Sequence, residues 1–116
     1  MKKQLEGIRV VDCSIYASTT LTTRILADWG SEVIHIESPG GDPGRRGHLN
    51  VDYEAYDFEF YNMNKKGIVL DMKAPQGMEV LDKLLDSADV FVTNFRSRAL
   101  SKLGIDYDAM HKRHPH

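Results

Sequence analysis

Cysteine is almost missing from this chain: Cys13 is the single one in 116 residues, so no internal disulfide can form and a disulfide-framed secreted scaffold is excluded. Cys13 follows directly on an apolar strand pattern, which reads as an inert buried thiol rather than a nucleophile. Long apolar runs are missing too. Lys2 and Lys3 open the sequence, but no hydrophobic stretch follows that would serve as a signal peptide or a spanning helix, so a cytoplasmic chain with no membrane partner is expected. Positive charge is not in excess: the net charge is −2, leaving no overall field to hold nucleic acid by counterion release. Glycine is absent from the first strand-to-helix turn, Asp12-Cys13-Ser14-Ile15-Tyr16-Ala17-Ser18, which removes the dinucleotide fingerprint and disfavours NAD.

With 41% hydrophobic and 28% charged residues, residues 1–116 read as one soluble globular unit. Strand and helix patterns alternate, which predicts an α/β fold: a Rossmann-like, mostly parallel sheet flanked by helices. Strands are expected at Ile8–Asp12, Glu32–Glu37, Gly67–Asp71 and Ala88–Thr93. A helix capped by Ser18 or Thr19 is expected to bury Leu21, Ile25, Leu26 and Trp29 and to end at Gly30. Pro39 to Gly44 breaks regular structure and begins a long loop. Tyr53, Tyr56, Phe60 and Tyr61 have helical spacing. Pro75 starts a helix with Val80, Leu81, Leu84 and Leu85 inward. Short helices are expected over Ala99–Leu103, closing at Gly104, and over Tyr107–Arg113, before Pro115.

Several chemistries find weak support. Asp12, Asp71 and Thr93 sit where a phospho-acceptor domain would hold magnesium, but the second acidic residue after strand one is missing. His111, His114 and His116 lack a fourth ligand for zinc and read as a frayed basic end, so no metal is expected. Glu37 ends strand two where a ribose is often held, yet without the glycine turn it reads as a solvated charge. No Ser-His-Asp triad can be argued from scattered hydroxyls. Basic and amide groups gather beside strand ends: Lys65, Lys66, Lys73, Asn94, Arg96, Arg98 and Lys102. They suit a polyphosphate, through charge-assisted hydrogen bonds and helix amino-termini, although composition alone also fits a solvated charged face.

A resemblance chooses between those two readings. Leu5-Glu6-Gly7-Ile8-Arg9-Val10-Val11-Asp12, Leu26-Ala27-Asp28-Trp29-Gly30-Ser31-Glu32-Val33-Ile34, Ile36-Glu37-Ser38-Pro39-Gly40-Gly41-Asp42-Pro43, Asn64-Lys65-Lys66-Gly67, Leu70-Asp71-Met72-Lys73 and Thr93-Asn94-Phe95-Arg96 resemble, in the same order, class III CoA-transferases of the formyl-CoA and carnitine type. The branch acting on 2-hydroxy acids such as phenyllactate or 2-hydroxyisocaproate is the most similar. The resemblance implies an amino-terminal fragment whose substrates are an acyl-CoA and a carboxylic acid, with coenzyme A itself as the only carrier and no covalently bound cofactor. It implies coenzyme contacts at Tyr16, Ala17, Leu70, Asp71, Met72, Lys73, Asn94, Phe95, Arg96 and Lys102, and an interlocked homodimer of full chains. Ser38 stands where formyl-CoA transferases carry arginine, and Ser18-Thr19-Thr20 replaces an Ala-Gly-Pro turn. The aspartate that attacks the thioester in the family is expected beyond His116, so no catalytic residue is assigned here and the chain alone is expected to be inactive. An α-methylacyl-CoA racemase fragment and a non-catalytic CoA-binding module are the alternatives.

Overall fold

The computed structural model describes residues 1–46 and 56–116. Among them, Arg9–Cys13 (β1), Glu32–Glu37 (β2), Lys66–Val69 (β3) and Val90–Thr93 (β4) form one sheet in the order β3-β2-β1-β4. Every neighbouring pair is parallel. Parallel neighbours need crossover segments. These contain Ser18–Asp28 (α1) between β1 and β2, Tyr56–Asn62 (α2) before β3, and Pro75–Asp86 (α3) between β3 and β4. Ser97–Leu103 (α4) and Tyr107–Arg113 (α5) complete the order. The expected parallel α/β architecture is therefore what forms. β2 has the expected limits, those of the other strands differ from expectation by at most two residues, and the irregular loop contains a short 3-10 turn, Pro43–Arg46. α2 carries Tyr56, Phe60 and Tyr61 as the spacing predicts, while Tyr53 lies outside the described residues.

Side chains alternate across the strands, and the register sets which ones meet. Val10 lies beside Val33 and Asp12 beside His35, on one face. Val11, Cys13 and Ile36 occupy the other, where they join Leu70, Leu81, Leu85, Ala88, Ile105 and Met110 in a single apolar cluster. Leu81 and Leu85 of α3 are fully buried there, Leu84 is half-buried and Val80 is exposed, so the inward stripe is narrower than its periodicity suggests. Each fully buried leucine contributes about 1.5–3 kcal/mol to holding α3 on the sheet.

Helix α1 departs from expectation. It buries Thr20, Thr23 and Ala27, whereas Ile25 and Trp29 are 45% and 56% exposed. The cause lies beneath the helix, where the sheet presents the Asp12 carboxylate. Thr23 Oγ1 donates to Asp12 Oδ2 at 2.7 Å. A buried charge left without donors costs far more than exposing one isoleucine, so the helix turns its hydroxyls inward. Neither Ser18 nor Thr19 caps it: Ala17 occupies the cap position with no side-chain hydrogen bond. Gly30 follows the helix at φ +111°, as expected of a residue that must turn the chain there, and an added Cβ would come within 2.5 Å of Lys3 Cβ.

Candidate functional site

All four strands run the same way, so their carboxyl ends share one rim, the edge at which open α/β sheets take ligands. Among the described residues, two cavities lie along it. The larger encloses about 410 Å³ and is lined by Ser38, Pro39, Leu70, Asp71, Met72, Lys73, Phe95 and Leu103. It brings the turn after β3 together with the turns after β2 and β4, uniting five of the residues that the resemblance assigns to coenzyme binding. The smaller, about 70 Å³, is lined by Tyr16, Ala17, Asp42, Pro43, Gly44, Asp57, Phe58, Tyr61 and Asn62. Tyr16 and Ala17 are thus separated from the Leu70–Lys73 turn. Arg96 is exposed at the start of α4, and Lys102 is exposed on its last turn; neither lines the larger cavity, although Leu103 does.

Backbone geometry explains how the rim turns are held. Asp71 Oδ1 accepts the Lys73 N–H at 3.0 Å, and Asp71 O accepts the Ala74 N–H at 3.1 Å, so Asp71 shapes its own turn. Gly77 in the first turns of α3 makes that turn possible, because a Cβ there would sit 1.9 Å from the Asp71 carbonyl oxygen. Asn94 clamps the β1–α1 turn. Its Oδ1 accepts from Ile15 N at 3.0 Å and its Nδ2 donates to Ile15 O at 2.8 Å, across the crevice between β1 and β4 where strand order reverses. The next residue, Tyr16, adopts φ +61°, a conformation uncommon outside glycine that often marks functional turns.

Beneath the rim lies a buried charge network that the sequence did not announce. Asp12 is inaccessible to solvent. Its Oδ1 accepts from Ser14 N at 3.0 Å and from Ser14 Oγ, and its Oδ2 accepts from Thr23 Oγ1, Lys65 Nζ at 3.0 Å and His35 Nδ1 at 3.1 Å. Burial alone would raise the Asp12 pKa, but His35, Ser14, Lys65 and Thr23 together hold it well below the usual carboxylate range. Burial lowers Lys65 below its ordinary value, with Asp12 opposing the drop. Lys65 Nζ also donates to Thr20 O at 2.9 Å and Asn62 Oδ1 at 3.0 Å. For His35, burial favours losing the proton, yet its contacts with Asp12 and Asp42 prevail and raise its pKa. His35 Nε2 lies 3.3 Å from Asp42 Oδ2 without the alignment of a hydrogen bond.

Four expectations are corrected by this network and its surroundings. Lys65, grouped with the strand-end cations that suit a polyphosphate or a solvated face, has a side chain 1% exposed and is committed to Asp12. Lys66 begins β3 at the opposite edge and pairs with Glu32. Glu37, read as a solvated charge, is buried; two hydrogen bonds from Arg45, both 2.7 Å, hold its carboxyl below the usual range. In the tail read as frayed, His114 is docked 3.0 Å from both Asp82 and Asp86, while His111 and His116 are exposed. Cys13 behaves as expected: burial, aided by Asp12, pushes its thiol up to about 12. Among the described residues, no group of three His, Cys, Asp or Glu side chains could hold a metal ion, and no helix is long and apolar enough to cross a membrane.

A parallel sheet with a crevice at its carboxyl rim defines a class of small-molecule-binding α/β proteins. The family model for CoA-transferase family III matches residues 5–116, and the chain belongs to that family. It is 42% identical over 116 residues to (R)-2-hydroxy-4-methylpentanoate CoA-transferase of Clostridioides difficile, covering 96% of this chain and 29% of that protein. It is 37% identical to cinnamoyl-CoA:phenyllactate CoA-transferase of Clostridium sporogenes, covering 94% of this chain and 28% of the relative. Formyl-CoA:oxalate CoA-transferase of Afipia carboxidovorans is also 37% identical, over 99% of this chain and 28% of its own length. Among solved structures, a CAIB/BAIF family protein from Brucella suis superimposes with a TM-score of 0.89 at 30% identity, covering 97% of this chain and 31% of its own. A hypothetical protein from Mycobacterium tuberculosis gives 0.88 at 34% identity with the same coverage. The chain therefore spans about 30% of the length of the relatives it matches.

Proposed function

We propose that these residues supply the coenzyme-binding share of a CoA-transferase that moves coenzyme A between an acyl-CoA and a carboxylic acid, with a 2-hydroxy acid as the acceptor class. The observation that carries the reading is the cleft at the sheet rim. It joins Leu70, Asp71, Met72, Lys73 and Phe95, residues whose motifs match the family, in one concave site. Lys73 offers an ammonium to phosphate oxygens, and Leu70, Met72 and Phe95 offer apolar surface to the rest of the carrier. Arg96, exposed and next in sequence to the cleft residue Phe95, is offered as a second cation. Tyr16 and Ala17, set in the neighbouring cavity, are read as further coenzyme contacts. The 2-hydroxy-acid class is supported by the names of the two relatives from clostridia.

The covalent step is assigned to none of these residues: Asp12 is closed in by its donors, and Asp71 is spent on its turn. Full-length chains of the family reading pair as homodimers and work in the cytoplasm on soluble substrates. Calorimetric titration with coenzyme A tests the binding reading. The chain is expected to bind, and Lys73→Ala is expected to weaken binding about tenfold, the loss of one charge-assisted hydrogen bond. Binding unchanged in both Lys73→Ala and Arg96→Ala would overturn the site, and no binding at all would overturn the function.

A further inference from the structure

The loop that follows β2 walls both rim cavities: Ser38 and Pro39 line the larger, and Asp42, Pro43 and Gly44 line the smaller. It is tied back to the sheet at two places. Arg45 grips Glu37, and the Asp42 N–H donates to Glu37 Oε2 at 2.8 Å. The second tie is His35, sandwiched between Asp12 on Nδ1 and Asp42 on Nε2, its side chain 3% exposed. We propose that the proton on His35 is a latch that holds the Ser38–Arg46 loop against the sheet, and that raising the pH releases it.

An imidazole facing two carboxylates satisfies both only with two protons. With one, a lone pair must face an oxygen anion. Asp12 cannot withdraw, since it sits in the central strand and is fixed by Ser14, Thr23 and Lys65, so the Nδ1 proton stays. The lost proton is then the one facing Asp42. Among the described residues, Asp42 Oδ2 has no hydrogen bond, and its partner oxygen accepts from within the loop, from the Gly44 N–H at 2.7 Å. Repulsion therefore falls on Asp42, the partner whose carboxylate has no hydrogen bond to the sheet among the described residues. The other charged groups around His35 sharpen the effect. From β2 comes Glu37, from the loop Asp42 and Arg45, and from the turn before β3 Lys65. Among the described residues, helix α1 contributes the hydroxyls of Thr20 and Thr23, and α2 contributes the Phe58 ring at 6.2 Å and Asp57, which lines the smaller cavity with Asp42. Among these six described groups, Asp12, Glu37 and Asp42 are balanced by Lys65, Arg45 and a protonated His35, so deprotonation leaves the set one charge negative.

Because the folded-state pKa of His35 is raised, the latch is complete below the ordinary histidine value and is lost as pH rises through the higher folded value. The test is an imidazole nitrogen NMR titration of the chain from about pH 5.5 to about pH 9.5, bracketing the ordinary value of ~6.5. Amide exchange of Asp42 and Gly44, corrected for intrinsic base catalysis, is followed in parallel. A doubly protonated His35 at neutral pH, and loss of Asp42 and Gly44 protection with the same midpoint, are expected. His35→Lys should remove the pH response, and His35→Gln should cost about tenfold in protection at every pH. Should either variant fail to fold, the wild-type titration decides alone. A neutral His35 tautomer at neutral pH, or loop amides indifferent to its titration, would overturn the latch. Weaker coenzyme binding at high pH is the consequence for function. That consequence rests on the reading above; the imidazole titration does not, so the two can fail separately.

Discussion

The two faces of this sheet are made from the same strands and are stabilised in opposite ways. Under α3, Val11, Cys13, Ile36, Leu81 and Leu85 exclude water with no polar partner to satisfy. Under α1, one residue over in each strand, Asp12 and His35 are equally buried and are held by threonines, a lysine and a loop carboxylate. The apolar face tolerates changes of shape within limits set by packing. The polar face is intolerant of losing any one member, because each buried charge is compensated by the others. It is also the face that anchors the turns carrying the rim: Ser14 begins the β1–α1 turn, and Asp42 belongs to the loop between the cavities.

Breaking the comparison begins with its largest expected effect. Asp12→Ala leaves Lys65 buried without a carboxylate and His35 with Asp42 alone, and should cost about 3–5 kcal/mol. Urea unfolding at neutral pH checks this; a cost under about 1 kcal/mol would show that the polar face is not electrostatically held. Leu81→Ala, its counterpart under α3, should cost about 2–5 kcal/mol by cavity formation, and calorimetric unfolding should show that cost unchanged between mildly acidic and neutral pH. The smallest effect separates the faces by pH alone. Asp12 has a depressed folded-state pKa, so its contribution is present above the ordinary carboxylate value and disappears as pH falls through the lower folded value. The stability difference between wild type and Asp12→Ala should shrink on acidification over that range, while the Leu81→Ala difference stays level.

The apolar face was legible in the sequence because its signals are local. The β-branched run at Ile8–Asp12, Pro75 at a helix start and the leucines of α3 place strand, helix and core with little help from tertiary context. The stripe expected on α1 failed for a reason no periodicity contains: Ile25 and Trp29 have the right spacing, but Asp12, reached only through the fold, required Thr20 and Thr23 inward. Lys65 was visible as a cation yet not as a buried one, since its partner lies 53 residues away in the chain. Glu37 and Arg45 were separable only by a loop whose course the sequence leaves open. Of the site, the rim turns were readable from motif order, and the clustering of Leu70–Lys73 with Phe95 follows from the parallel topology. Gly77 was missed, although its spacing from Asp71 is the kind of close helix–turn approach that only glycine permits.

Coenzyme A should meet the chain at the rim cleft. Amide chemical shifts recorded through a titration with coenzyme A should move at Leu70 to Lys73 and at Phe95 and Arg96, with smaller changes at Tyr16 and Ala17. Shifts confined to the separate apolar groove of about 370 Å³ beside β4, around Val90, Tyr107 and His111, or no shifts at all, would contradict it.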